Sequence, residues 1–162
     1  MRATAESRSA VRPLILAILL VSVLVSTVSC GLPNRVRSMF GGELSIPVTI
    51  AAKANEDSPL AVDLIVAYDD KIVDELLKMS ARKWFEGREQ FLRDHEEKID
   101  SFKREWTPGQ AVEPLDLSYG IGAKKLVVFA DYLVPGEHRD TRDPQRPFKL
   151  VLGQSELRLE DL

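Results

Sequence analysis

A mainly β fold, a β-sandwich carrying a helical insert, is what this sequence predicts. Three observations carry the prediction. Apolar residues alternate with period two in short runs over most of residues 44–162, the pattern of half-buried strands. Turn-forming clusters separate those runs. The period shifts to that of a helix in one stretch only, residues 70–97. Many short strands and few helices fit a sandwich better than an alternating α/β fold.

The elements follow in order. Leu44, Ile46, Val48 and Ile50 alternate as a first strand, and Pro47 within it marks an edge or an irregular start. Residues 55–59, NEDSP, form a polar turn cluster. Leu60, Val62, Leu64, Val66 and Tyr68 alternate as a second strand. From Asp70 the apolar residues fall at Ile72, Val73, Leu76, Leu77, Ala81, Trp84 and Phe85, one face of a helix. Asp69 or Asp70 can cap it, and Gly87 is a plausible stop. Residues 88–97 read as a second short helix with Phe91 and Leu92 turned inward.

Strand signals then return. A weakly patterned strand over residues 99–106 ends at Thr107-Pro108-Gly109, a sequence suited to a type II turn. Leu115, Leu117 and Tyr119 alternate. Residues 124–133, KKLVVFADYL, are apolar on both faces and read as a central strand. Residues 135–147 read as a long charged loop. Phe148, Leu150 and Leu152 form another strand, which Leu157 and Leu159 continue or follow. Trp84 belongs to the core by its helix face, and Trp106 fits either core or surface.

The segment ahead of this region has a different character. Arg2, Arg8 and Arg12 precede a 12-residue run, 14–25, that is apolar except for Ser22, and mostly small residues lead to Cys30. This is the layout of an export signal, and the run is well short of the ~20 residues of a membrane-spanning helix. Cys30 is the only cysteine, so it has no disulfide partner within the chain. Thr27-Val28-Ser29-Cys30 resembles a bacterial lipobox, lacking the usual Leu three places before the cysteine. Residues 1–29 are therefore expected to be a lipoprotein signal peptide and Cys30 to carry the lipid. An ordinary secreted protein with a free thiol is the alternative. Several acyl chains together hold a protein on a bilayer without a spanning helix. Gly31, where Asp favours inner-membrane retention in enterobacteria, points to the outer membrane and a domain facing the periplasm. Residues 30–43 mix Gly, Pro and charge without period and read as lipid anchor and tether. The domain is expected over 44–162.

Removing residues 1–29 takes away three basic residues and one acidic. The 22 basic and 25 acidic residues become 19 and 24, a net charge of −5. Such a balance argues against non-specific nucleic-acid binding, which needs a basic face.

No catalytic or cofactor motif stands out. His95 and His138 lie among charges and read as solvated. Metal-ligand spacing is absent. Residues 120–124, GIGAK, lack the spacing and the Ser or Thr of a phosphate loop and read as a turn between strands. Residues 153–156, GQSE, are not a nucleophile elbow. Neither an enzyme nor a cofactor is expected. Recognition is expected at loop tips at one end of the sandwich. The candidates are 55–59 (Asn55, Glu56, Asp57, Ser58 and Pro59) and 135–147, which carries Arg139, Arg142 and Arg146.

The lipobox and the order of elements resemble the outer-membrane lipoproteins of type VI secretion systems, the TssJ family. The matching features are Asn55 and Ser58-Pro59 before an apolar strand, LAVDLIVAY, and the helical insert IVDELLKMSARKWF. The turn Trp106-Thr107-Pro108-Gly109, the strand LVVFADYL and the final RPFKLVLGQSELRLE complete the series. Departures are Glu56 in place of Pro after Asn55, and Asp131-Tyr132-Leu133 in place of Phe-Arg-Asp. The resemblance implies a transthyretin-like sandwich with an added helical part. It also implies anchoring of a cell-envelope channel by binding the periplasmic domain of a large inner-membrane partner, TssM-like, through the loop at 55–59. A pilot lipoprotein for an outer-membrane channel and a periplasmic enzyme with unmarked residues are the rival readings.

Overall fold

The computed structural model describes residues 41–162. The expected signal peptide, Cys30 and nearly all of the expected tether lie outside the described residues. In chain order the elements are β1 (Gly42–Ile46), β2 (Val48–Ile50), β3 (Leu60–Ala67), α1 (Asp70–Leu76) and α2 (Ala81–Asp94). Then come β4 (Ile99–Trp106), β5 (Leu115–Tyr119), β6 (Lys125–Ala130), β7 (Arg139–Arg142), β8 (Phe148–Leu152) and β9 (Leu157–Asp161).

Pro47 splits the first alternating run. Proline has no N–H to give to a ladder, and the chain changes partners across it. β1 pairs antiparallel with β5, whereas β2 pairs parallel with β8. The Pro47 carbonyl still accepts a bond from the Leu150 N–H at 2.9 Å. With β9 antiparallel to β8, a three-stranded sheet β2-β8-β9 stands beside the two-stranded sheet β1-β5, and both pack against the same core. Across that core lies the four-stranded sheet β4-β3-β6-β7. Its middle strands are β3 and β6, and β6 is the strand apolar on both faces.

That two-faced apolarity has a structural cause. Leu60, Val62, Leu64 and Val66 of β3, with Leu126, Val128 and Ala130 of β6, face the opposing layer and meet Ile46, Leu117, Phe148 and Leu150. The alternate residues Ile65, Ala67, Val127 and Phe129 face the helices and pack on Ile72, Val73, Leu76, Ala81 and Trp84. Trp84 stacks on Phe129 with ring centroids 5.1 Å apart and planes 8° from parallel. Asp63 is wholly buried on this outer face. It accepts bonds from Trp84 Nε1 at 2.9 Å and from Arg88 at 3.0 and 3.1 Å. Trp106 is also buried, between the layers.

Three expectations need correction. The first helix ends at Leu76, not near Gly87, and Gly87 lies inside α2. The break comes at residues 77–80, where Ser80 Oγ caps α2 by accepting from the Lys83 N–H at 3.4 Å. The N-cap of α1 is Asp69, whose carboxylate accepts from the N–H groups of Lys71 and Ile72. Those bonds hold its pKa below the usual range. Secondly, residues 135–147 are not all loop, because β7 pairs with β6 from Phe129↔Arg139 to Leu126↔Arg142. Thirdly, the strand expected over 124–133 stops at Ala130.

Candidate functional site: the loop end of the sandwich

Strand directions gather four loops at one end. Leu60 pairs with Trp106 and Val62 with Ala130, so the loops 51–59, 107–114 and 131–138 share the end where β3 begins. β8 runs parallel to β2, with Ile50 beside Leu152, which adds the hairpin loop 153–156.

Cross-loop bonds make this end one unit. Asn55 is only 3% exposed. Its Oδ1 accepts from the Leu133 N–H at 2.6 Å and its Nδ2 donates to the Pro59 carbonyl at 2.8 Å. Its backbone N–H donates to the Gln154 carbonyl at 2.8 Å. Tyr132 is buried, and its hydroxyl reaches the carbonyls of Gly153 and Glu156 at 3.0 and 2.9 Å. Burial, and secondarily the Glu156 charge, push the ionisation of Tyr132 well above the tyrosine range, so the hydroxyl keeps its proton for these bonds. The Gly109 N–H donates to the Ala51 carbonyl at 3.0 Å. Gly109 has φ +67°, and a Cβ there would sit 3.3 Å from Ala52 Cα.

Within this frame the backbone of 55–57 is unusual. Asn55, Glu56 and Asp57 have φ of 51°, 53° and 61°. Left-handed backbone disfavours L-residues by roughly 1–2 kcal/mol each, so three in succession need outside support. The bonds of Asn55 supply it, together with the Ser58 N–H donating to the Asn55 carbonyl at 3.0 Å. Of the five residues singled out in the sequence, Asn55 turns inward as a clamp. Glu56, Asp57 and Pro59 are exposed, and Ser58 is half-buried.

The end is acidic. Its four loops carry Glu56, Asp57, Glu113, Asp131, Glu137 and Glu156 against the single basic side chain of Lys53. Glu137 pairs with Arg139 at 3.6 Å and Glu156 with Arg158 at 3.3 Å. Leu133, 53% exposed, adds an apolar side chain among them. Residue type gave no sign of this, because Leu133 continues the apolar run of β6 in sequence.

The second candidate loop is divided. Arg139 donates to the Met79 carbonyl and Arg142 to that of Leu159. Arg142 also faces Asp161 at 3.5 Å. Both arginines hold elements of this chain together. Arg146 lies beyond β7, at the end of the sandwich away from 55–59. His138 is half-buried rather than solvated, with Nε2 2.7 Å from the Val134 carbonyl and its ring 4.9 Å from that of Tyr132. His95, likewise, rests on Phe91 with centroids 4.5 Å apart.

Among the described residues no group of three or more His, Cys, Asp or Glu side chains could hold a metal ion. Nor is any described helix long and apolar enough to cross a membrane. A cleft of about 320 Å³ lies at the opposite end, lined by Gly41, Gly42, Leu44, Tyr119, Pro144 and Pro147 among others.

No family model matches the chain, and no curated protein matches it. Solved structures do. Lip of Serratia marcescens, a membrane-bound component of the type VI secretion system, superposes with a TM-score of 0.60 at 17% identity, over 75% of this chain and 98% of that one. The type VI lipoprotein TssJ1 of Pseudomonas aeruginosa gives 0.57 at 15% identity, over 75% and 97%. A structure described as the TssM C-terminal domain from EAEC gives 0.55 at 19% identity, over 74% and 98%. The described residues thus have the β-sandwich with helical insert of the TssJ and Lip lipoproteins, and the resemblance read from the order of elements holds at the level of fold.

Proposed function

We propose that this chain is a lipid-anchored, periplasm-facing protein that ties a type VI secretion membrane complex to the outer membrane. It does so by binding the periplasmic domain of a large, TssM-like inner-membrane subunit. The observation that carries this reading is the placement of the two ends. The chain arrives from the expected tether at Gly41, at one end of the sandwich, while the clamped loops stand at the other. Cys30 holds the membrane through its acyl chains. Glu56, Asp57, Ser58 and Pro59 present a preshaped surface, and Asn55 sets its shape from beneath. A loop held in its binding conformation loses little freedom on association. The protein acts as a tie and carries no reaction.

The test separates anchor from contact. Cys30→Ser should move the protein from the membrane pellet to the soluble fraction, and retention in the pellet would overturn the lipid anchor. Glu56→Lys with Asp57→Lys, leaving Asn55 in place, should weaken binding to the purified periplasmic domain of the TssM-like subunit by tenfold or more, about 1.4 kcal/mol. Equal binding by parent and variant would remove this loop from the interface. No binding by the parent would overturn the secretion reading itself.

A further inference from the structure

The two most exposed large apolar side chains among the described residues are Ile121 and Leu162, each 70% exposed. Both lie away from the acidic loops. Ile121 stands on the β5–β6 turn. Gly122 takes φ +85°, as the third position of a type II turn requires, and this leaves Ile121 at the crest. Leu162 follows Asp161, which pairs with Phe148 at the start of β8.

Ile121 also sits where the chain arrives. A Cβ on Gly41 would lie 2.7 Å from the Tyr119 carbonyl oxygen and 3.5 Å from the Ile121 backbone nitrogen. Eleven residue steps separate Cys30 from Gly41, a span of at most ~40 Å by covalent geometry. Whatever surface holds Cys30 is therefore within reach of the turn. The turn is rigidly mounted. Tyr68 Oη accepts from the Gly120 N–H at 2.7 Å and donates to the Asp100 carboxylate. The Lys124 N–H donates to the Ala67 carbonyl at 2.8 Å. Ala123 is buried, so Ile121 is the apolar side chain that the turn presents, beside the exposed Lys124.

We propose that Ile121 inserts into the interfacial region of the bilayer that holds the acylated Cys30, so that the sandwich stands on the membrane with its acidic loop end directed away. The inference rests on the lipid-anchor reading. One apolar side chain binds a bilayer weakly by itself, but a tether this short makes the contact intramolecular, and a weak second contact then suffices. The charges agree. Around the turn, cations and anions are mixed, with Lys124 paired to Asp70 at 3.4 Å. The loop end keeps an acidic excess even with Glu137 and Glu156 paired to Arg139 and Arg158. Glu56, Asp57, Glu113 and Asp131 face only Lys53 in its loops, and this end would be repelled by anionic headgroups.

Acylation occupies the only natural cysteine, so Ile121→Cys places the one free thiol on the crest and Leu133→Cys places it on the loop end. Each acylated full-length variant carries an environment-sensitive fluorophore and is reconstituted in phosphatidylethanolamine–phosphatidylglycerol vesicles with and without brominated acyl chains. The residue-121 probe should be quenched severalfold by the brominated lipid, and the residue-133 probe should not. Equal quenching of the two, or quenching of neither, overturns the proposal. A residue-121 probe shielded from aqueous iodide but untouched by brominated lipid overturns it too, because a protein then covers the turn. If the acylated parent does not float with vesicles, the anchor reading fails and this inference falls with it. Flotation without quenching at residue 121 leaves the anchor standing and removes only the inserted turn.

Discussion

The Asn55 carboxamide uses its oxygen on the Leu133 N–H and its nitrogen on the Pro59 carbonyl. Replacing it leaves both backbone groups without their partner beneath the loop. A buried polar group stripped of its hydrogen bond costs about 1–3 kcal/mol, and Ala also tolerates φ of 51° poorly. Asn55→Ala should therefore lower the unfolding free energy by about 2–3 kcal/mol, read as a lower urea midpoint at unchanged slope. Asn55→Gly should recover part of that loss, because Gly adopts positive φ freely. A change within the ordinary surface range of about ±0.5 kcal/mol would show that Asn55 does not hold the loop. Partner binding should fall in both variants, since the contact residues Glu56 and Asp57 keep their left-handed backbone only while the clamp is closed.

At the scale of the element, the helical insert shows a local signal overridden by distant contacts. Apolar residues from Ile72 to Phe85 continue one helical face, and the local cue for a break before Gly87 is a single capping residue, Ser80. The break at 77–80 is fastened by a segment about 60 residues further along the chain. The Ala81 N–H donates to the Glu137 carbonyl at 2.8 Å, and Arg139 bonds the Met79 carbonyl. Gly87 then falls within α2, exposed, and beyond its chain neighbours and the helix's own backbone nothing lies within 4 Å of where a Cβ would be. Glycine inside a helix is less favourable than alanine by about 0.8–1.0 kcal/mol. Gly87→Ala should accordingly raise the thermal midpoint by a few degrees. A lowered midpoint would show that the position is needed as glycine for some contact.

For the whole molecule, the two core clusters share strands. Leu64 and Val66 of β3 face the sandwich interior while Ile65 and Ala67 face the helices, and β6 divides the same way. Loss of either layer exposes one face of both central strands, so the layers should unfold together. The two tryptophans report on this separately: Trp84 lies under the helices and Trp106 between the sheets. Trp84→Phe and Trp106→Phe variants, each left with one tryptophan, should show fluorescence transitions that coincide with the far-UV circular dichroism of the same variant. Coincident probes mark a two-state transition. A helical layer that melts at lower urea than the sheet would show that the insert is a separable appendage.

Period and punctuation along the chain carried most of the strand order. Alternation located β3, β5 and β8, the two-faced run marked β6 as central, and Thr107-Pro108-Gly109 ended β4 where Gly109 takes φ +67°. Each of these is a local property, set by a side-chain period or by one residue's backbone freedom. Arrangements that join distant segments were not legible. The partner exchange at Pro47 depends on β5 and β8, nearly 70 and 100 residues further on. Nothing in NEDSP says that Asn55 turns inward, because its partner Leu133 is 78 residues away. β7 hid inside a charged stretch because its arginines reach carbonyls and carboxylates of other elements, and such pairing leaves no trace in hydropathy. The position of Ile121 beside Gly41 likewise exists only once β1 and β5 are paired, since a two-strand register can bring together residues that no local rule connects.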